Sequence, residues 1–131
     1  MALNQGRNTP ERSADFLVLP VKAGAVIYEG SLVAIKAGYA VPGKVDTTII
    51  SVGRAEEFID NTTGVDGDKI IKVKRGCFKF ENDGTIKQEH VLQDCYIVDD
   101  ETVGATDDTG KRAKAGKVIE IEPDGVWVLI R

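Results

Sequence analysis

Short apolar and β-branched runs, cut by turn residues, fill the chain from Phe16 onward. They recur at roughly the 8–12-residue spacing that is typical of all-β domains. The runs are 16–21, 25–35, 47–59, 69–82, 95–98, 102–106, 117–122 and 126–131. This pattern predicts a mostly β fold: a small bulged β-barrel or sandwich of short antiparallel strands. Only 88–93 (QEHVLQ) has fair helix propensity, so we expect at most one short helix.

Two of these runs change their buried parity at a glycine. In 47–59, the apolar residues Ile50 and Val52 both stand at even positions, and beyond Gly53 the next even positions hold charged residues. In 69–82, the apolar residues stand on odd positions before Gly76 and on even positions after it. Glycine is the residue that a β-bulge or bend prefers, so we predict one at each of these glycines.

Turn chemistry separates the runs. The segment 60–69 (DNTTGVDGDK) predicts a loop, and Asn82-Asp83-Gly84 predicts a tight turn. Pro123-Asp124-Gly125 predicts a hairpin in which proline presets φ and glycine takes a positive φ. Val41-Pro42-Gly43 closes the second apolar section. Lys-Ala-Gly occurs at 22–24, 36–38 and 114–116, which we interpret as three corners of one turn type, with an internal duplication as the alternative.

The first residues differ in texture from the rest of the chain. Residues 1–15 are polar and aperiodic, with Gly6 and Pro10 as breakers. We therefore predict two parts: an extended N-terminal arm, 1–15, and a single β domain, 16–131. A plain disordered tail is the alternative for the arm.

Composition narrows the function classes. The chain has 131 residues, 42% hydrophobic and 29% charged, with a formal charge of −4. This size and balance suit one globular core and argue against disorder. Excess Lys and Arg, usual in nucleic-acid binders, is absent, so we expect no nucleic-acid partner. No apolar run approaches ~20 residues and no secretory signal is visible, so we expect a cytoplasmic protein without a membrane partner.

Residues that could carry chemistry are few. His90 is the only histidine, and no serine lies in a nucleophile-elbow sequence, so we expect a solvated His90 and no catalytic residue. Cys77 and Cys95 fall in apolar runs and are predicted to be buried free thiols, with a disulfide or a reactive thiol as alternatives. Two separate cysteines and one histidine do not supply the three or four closely spaced ligands that a zinc site needs.

Two further segments do not match the binding motifs that they partly resemble. The acidic residues Asp99-Asp100-Glu101, with Asp107 and Asp108, do not match a calcium loop and are interpreted as solvated loop charge, with a metal site as the alternative. Around Gly110 and Gly116 the spacing, the missing hydroxyl and the strand pattern all depart from a phosphate-binding loop. We therefore predict no metal, no cofactor and no enzyme activity.

Aromatic residues suggest one more alternative. Trp127 and Tyr39 could form a carbohydrate platform, although a single Trp in an aliphatic strand is more often part of a core. The basic residues of the arm and of 111–114 lack interleaved aromatics, which argues against a single-stranded nucleic-acid platform.

Several segments resemble one family of phage proteins. They are AGAVIYEGSLVAI (23–35), RGCFKFEN (75–82), CYIVDDETV (95–103), the Ala115-Gly116 corner and GVWV (125–128). This pattern resembles the capsid cement, or head decoration, proteins of tailed phages and prophages. That family was once labelled a predicted phage recombinase of RecA/RadA type, a label that the missing phosphate loop does not support. The long polar arm and the loop 60–69 depart from the family's common pattern.

The resemblance implies a non-enzymatic virion structural protein that decorates or cements the capsid shell. It would bind between major capsid subunits, as a homo-oligomer and most readily a trimer, on the capsid surface after synthesis in the host cytoplasm. Another phage β module, such as a tail, baseplate or carbohydrate-binding protein, is the alternative. We add the hypothesis that residues 1–15 pair as a strand with an exposed capsid sheet edge.

Overall fold

The computed structural model describes residues 2–131, so Met1 of the predicted arm lies outside the described residues. These residues form twelve strands and one 3₁₀ turn, Gln88–His90. The strands are β1 (Phe16–Pro20), β2 (Val26–Ile27), β3 (Leu32–Lys36), β4 (Tyr39–Pro42), β5 (Ile50–Ala55), β6 (Ile59–Asp60), β7 (Ile70–Lys74), β8 (Gly76–Asn82), β9 (Asp94–Ile97), β10 (Thr102–Gly104), β11 (Lys114–Glu122) and β12 (Gly125–Ile130).

The strands build a barrel and a sheet. The sheet has the order β1-β7-β5-β3-β4, and the closed barrel has the order β10-β8-β12-β11-β9. The barrel closes because β10 pairs with β8 in parallel and with β9 antiparallel. A two-stranded ribbon, β2-β6, completes the fold. The predicted mostly β class is confirmed, as is the barrel. Across residues 2–131 no helix has the length and apolar character to cross a membrane.

The sheet is buried on both of its faces near its centre. On β3, Leu32 and Ala34 belong to the core inside the barrel, whereas Val33 belongs to a second core. The second core also contains Ile27 of the ribbon and Val73 of β7. Strand β3 therefore joins two cores, and successive side chains serve opposite layers, as the pleat of a strand requires.

The predicted bulge at Gly53 is confirmed. The β3–β5 register shifts between Val33, opposite Gly53, and Ala34, opposite Ser51, which leaves Val52 as the extra residue. The interpretation that Ile50 and Val52 share a face is wrong, because the bulge turns Val52 into the core while Ile50 stays 65% exposed.

The parity change at Gly76 has another cause than the predicted bulge. Strand β7 belongs to the sheet and β8 to the barrel, with only Arg75 between them. Gly76 itself pairs regularly with Ile130 of β12. The buried parity changes because the chain leaves one layer and enters the other.

The predicted turns are partly correct. Residues Pro123 and Asp124 connect β11 and β12 as a hairpin. Gly125 is not among the residues with positive φ, and glycine is needed there because a Cβ would lie 2.9 Å from the Phe80 carbonyl oxygen. The corner predicted at 114–116 is wrong: it lies within β11, at a register shift opposite β9. Val41 and Pro42, interpreted from the sequence as the end of an apolar section, instead belong to edge strand β4.

Candidate binding surface

The N-terminal arm forms no helix or strand and is exposed over the described residues 2–15. Before Asp15, its side chains make only local hydrogen bonds: Arg7 donates to the Thr9 hydroxyl at 2.7 Å, and Arg12 donates to the Ser13 and Phe16 carbonyl oxygens. The one large apolar side chain in residues 2–15 is Leu3, which is 71% exposed and therefore does not hold the arm on the domain. Most of its backbone hydrogen-bonding groups therefore face solvent.

Asp15 fixes the root of this arm to the domain. Its carbonyl oxygen accepts a hydrogen bond from the Arg75 backbone N–H at 2.8 Å, and its Oδ1 lies 2.9 Å from Arg131 Nη2. The hydrogen bond from Arg131 holds the pKa of Asp15 below its ordinary value. The arm thus leaves the domain from a defined point.

Directly after Asp15, strand β1 stands at one end of the sheet order and pairs with β7, while just beyond its last residue Val21 forms a parallel bridge with Ala40 of β4. The bonds from Arg75 N–H to Asp15 and from Val21 N–H to Lys69 show that odd residues of β1 bond to β7. In an antiparallel pair, the backbone N–H and C=O groups of the residues in between then point away from the partner strand. Phe16 and Val18 therefore direct backbone groups outward from the edge. At Phe16 and Val18, before the bridge to β4 begins, this edge can accept a further strand.

The side chains of Phe16 and Val18 lie beside those of Ile70, Lys72 and Lys74 on the paired strand β7. We name the surface that these five side chains form the β1 face. Val18 is 60% and Ile70 59% exposed. Cross-strand pairing puts Phe16 opposite Lys74 and Val18 opposite Lys72. Both lysine Nζ atoms lie over the Phe16 ring, at 4.5 and 5.5 Å from its centroid. Neither lysine forms an ion pair within residues 2–131, so the β1 face is apolar with a positive border.

A second apolar patch has a border of the opposite sign. Tyr28 follows β2 and Phe58 precedes β6, and their rings contact each other with centroids 5.4 Å apart and planes tilted by 44°. Both rings are more than half exposed. Glu29 and Glu57 adjoin them in the sequence and are exposed. We name these four residues the aromatic patch.

The residues examined for chemistry are dispersed over the fold. His90 lies in the 3₁₀ turn, is only partly exposed, and its Nδ1 accepts a hydrogen bond from the Lys87 backbone N–H at 2.8 Å. The expected solvated histidine is thus a local capping group. Trp127 donates a hydrogen bond to Glu122 in the barrel, whereas Tyr39 lies on edge strand β4 of the sheet. The two aromatics of the carbohydrate alternative are therefore in different layers.

The two cysteines are free thiols in different environments. Cys95 is fully buried, and burial raises the pKa of its thiol to about 12. The expectation that Cys77 is buried is wrong: it is exposed because Phe78 and Phe80, on the other parity of β8, fill the barrel. Partial burial also raises the pKa of Cys77.

The acidic residues after β9 lie close enough to repel one another. The negative charge of Glu81 on β8, followed by burial and by Asp99 and Asp100, raises the pKa of Glu101. In the described part of the chain, no group of three or more His, Cys, Asp or Glu residues is arranged to hold a metal ion. Asp107 instead accepts backbone hydrogen bonds from Lys111 and Arg112 through its carbonyl oxygen.

The arm is predicted by the sequence pattern, whereas the β1 face is not. Residues 16–21 are apolar on both parities, so the pattern does not show which side chains face solvent. A signal was present on the partner strand, where Lys72 and Lys74 alternate with the buried Ile71 and Val73. No protein-family model, curated protein or solved structure matches this chain.

Proposed function

We propose that the chain is a non-enzymatic phage or prophage virion structural protein that decorates or cements the capsid shell by binding between major capsid subunits. The observation that carries the proposal is the exposed arm, fixed at Asp15 and continuous with edge strand β1. The family resemblance supplies the identity of the partner, and the arm and edge supply a means of binding it.

Binding in this proposal requires interface area and no chemical step. The arm pairs through its backbone with an exposed strand edge of a capsid subunit, since main-chain hydrogen bonds give affinity in such added strands. The two-core domain acts as the rigid body that lies between neighbouring subunits.

Deletion of residues 2–14 tests the role of the arm. We expect the affinity for heads to fall at least about tenfold, which corresponds to a loss of about 1.4 kcal/mol of binding free energy, so that occupancy drops at subsaturating concentrations. The measurement is the ratio of this chain to major capsid protein on purified heads. Circular dichroism of the deleted chain checks that the domain stays folded.

A matched control keeps the length of the arm and removes its sequence. Residues 2–14 are replaced by a Gly/Ser segment of equal length, which separates loss of specific pairing from loss of reach. Occupancy that is undiminished by the deletion contradicts the role of the arm.

We also propose that the decorating unit is a homo-oligomer, with the trimer as the favoured state. The support is complementarity: the β1 face has Lys72 and Lys74 at its border, and the aromatic patch has Glu29 and Glu57. Contact between two different patches on successive copies is heterologous, and such contacts form closed rings when the rotation allows.

A charge exchange tests this contact. We expect Lys72→Glu to weaken the oligomer in sedimentation velocity, and Glu57→Lys in the same chain to restore it in part. Lys44→Glu, at an exposed lysine outside both patches, serves as the control. A wild-type chain that sediments as a monomer at all concentrations, or a Lys72→Glu chain that assembles like wild type, contradicts the contact.

A further inference from the structure

The sheet and the barrel leave a cleft between them on the side of β5, β11 and β12. Its volume is about 440 Å³. Apolar side chains line part of it: Ile49 and Ile50 from the sheet side, and Leu129 and Ile130 from the barrel. The cleft is distinct from the β1 face and from the aromatic patch, since it shares no residue with either.

Two hydrogen-bond donors in this cleft have no acceptor. Arg75 Nε and Ser51 Oγ are both buried atoms without a hydrogen-bond partner in the described chain. The whole Arg75 guanidinium also lacks an ion pair over residues 2–131, whereas the guanidinium groups of Arg54, Arg112 and Arg131 each contact a carboxylate. Buried donors without an acceptor are rare in proteins, because their desolvation is not compensated.

The cleft also has an unbalanced positive charge. Its lining contains Arg75, Lys114, Lys117 and Arg131 and includes no Asp or Glu. Asp94, at 3.2 Å from Lys114 Nζ, and Asp15 neutralise two of these cations from outside the lining. Arg75 and Lys117 remain without a carboxylate in the part of the chain that the structure describes.

We propose that this cleft binds a carboxylate carried on an apolar stem. The carboxylate accepts hydrogen bonds from the Arg75 guanidinium and the Ser51 hydroxyl, and Lys117 adds positive charge. A guanidinium presents its donors in a planar fork that matches the two oxygens of a carboxylate. The stem lies against the isoleucine and leucine side chains. Such a carboxylate belongs either to a free small acid or to a polypeptide, and the chemistry of the site is the same.

A titration of the full chain with three probes tests the ligand chemistry. The probes are hexanoate, its uncharged analogue hexanamide, and inorganic phosphate, and the readout is the NMR signal of the Arg75 Nε–H group. We expect hexanoate to shift this signal and to bind at least about tenfold more tightly than either other probe, a difference of about 1.4 kcal/mol. Equal affinity for hexanamide or for phosphate, or no shift with hexanoate, overturns the proposal.

Variants separate binding from folding. Arg75→Gln is expected to weaken hexanoate binding about tenfold or more without lowering the melting temperature, because the guanidinium has no partner in the folded chain. Lys44→Gln, outside the cleft, is the control and is expected to bind like wild type. If Arg75→Gln does not fold, Ser51→Ala is measured instead. Unchanged hexanoate affinity in the folded variant that is measured overturns the proposal.

A peptide arm distinguishes the sources of the carboxylate. Acetyl-Val-Leu-Val with a free terminal carboxylate is compared with the same peptide amidated and with hexanoate. Tighter binding of the free-carboxylate peptide than of hexanoate supports a polypeptide source, and tighter binding of hexanoate supports a free acid. If the amidated peptide binds as tightly as the free-carboxylate peptide, the carboxylate is not recognised and the proposal is overturned.

Discussion

At the scale of single residues, Asp46 shows how strongly local hydrogen bonds act on a charged group. Its carboxylate accepts hydrogen bonds from the Thr48 hydroxyl at 2.6 Å, the Thr48 backbone N–H at 2.8 Å and Lys36 Nζ at 2.9 Å. These contacts, the Thr48 hydroxyl first, hold the pKa of Asp46 far below its ordinary value of 3.8. The charged form of Asp46 therefore stabilises the folded state.

The sign of this effect gives a pH prediction. Because the folded-state pKa is depressed, the stabilisation is present above the ordinary pKa of 3.8 and is lost as pH falls toward the folded-state pKa. We expect Asp46→Asn to lose less free energy of unfolding on acidification below about pH 4 than wild type. Urea unfolding at a series of pH values, followed by Trp127 fluorescence, measures this loss.

Asp108→Asn is the matched control for this experiment, because the Asp108 carboxylate makes no hydrogen bond or ion pair within residues 2–131. We expect it to keep the wild-type pH dependence. An Asp46→Asn variant whose stability falls with acid as steeply as wild type contradicts the assignment.

At the scale of elements, the β5 bulge depends on one close approach. A Cβ at Gly53 would lie 2.1 Å from the Lys74 carbonyl oxygen on β7. Since that atom belongs to the backbone of a paired strand, it has little room to move. We expect Gly53→Ala to destabilise the protein by about 1–3 kcal/mol, the usual cost of overpacking. The free energy of unfolding in urea is the measurement.

Gly6→Ala in the arm is the control, because a Cβ there meets nothing within 4 Å and φ is not positive. We expect its effect to stay within about 0.5 kcal/mol. Wild-type stability in Gly53→Ala would show that β5 and β7 separate easily at this point and would contradict the close packing.

Local patterns predicted most strands and the Gly53 bulge, because turn residues and short apolar runs act within a few residues. Strand β4 was missed because Pro42 argues against a strand, although an edge strand tolerates proline at its end. Closure of the barrel by the parallel β8–β10 pair depends on residues far apart in sequence. The Gly76 layer change produces the same parity signal as a bulge, so the sequence could not separate them.

The candidate surfaces divide in the same way. The arm is visible in the sequence because its polarity is local. The β1 face is not, since both parities of residues 16–21 are apolar and only tertiary packing decides which is buried. The sequence likewise does not show that the Arg75 guanidinium lacks an ion pair, because a charged residue between two strands normally indicates a solvated position.

At the scale of the whole molecule, the fold combines a rigid body with an exposed arm. Strand β3 contributes Leu32 to one core and Val33 to the other, so the barrel and the sheet share a wall. The arm extends from the edge of that sheet and, among its described residues 2–15, is fixed to the domain at Asp15. This arrangement suits a protein whose task is to add contact area between larger subunits.

Quantitative mass analysis of purified virions tests this role most directly. We expect the chain to be present on heads in a fixed ratio to the major capsid protein, because each lattice position between capsid subunits offers the same binding site. Absence from heads, or a copy number that follows the tail or baseplate instead of the capsid lattice, would contradict it.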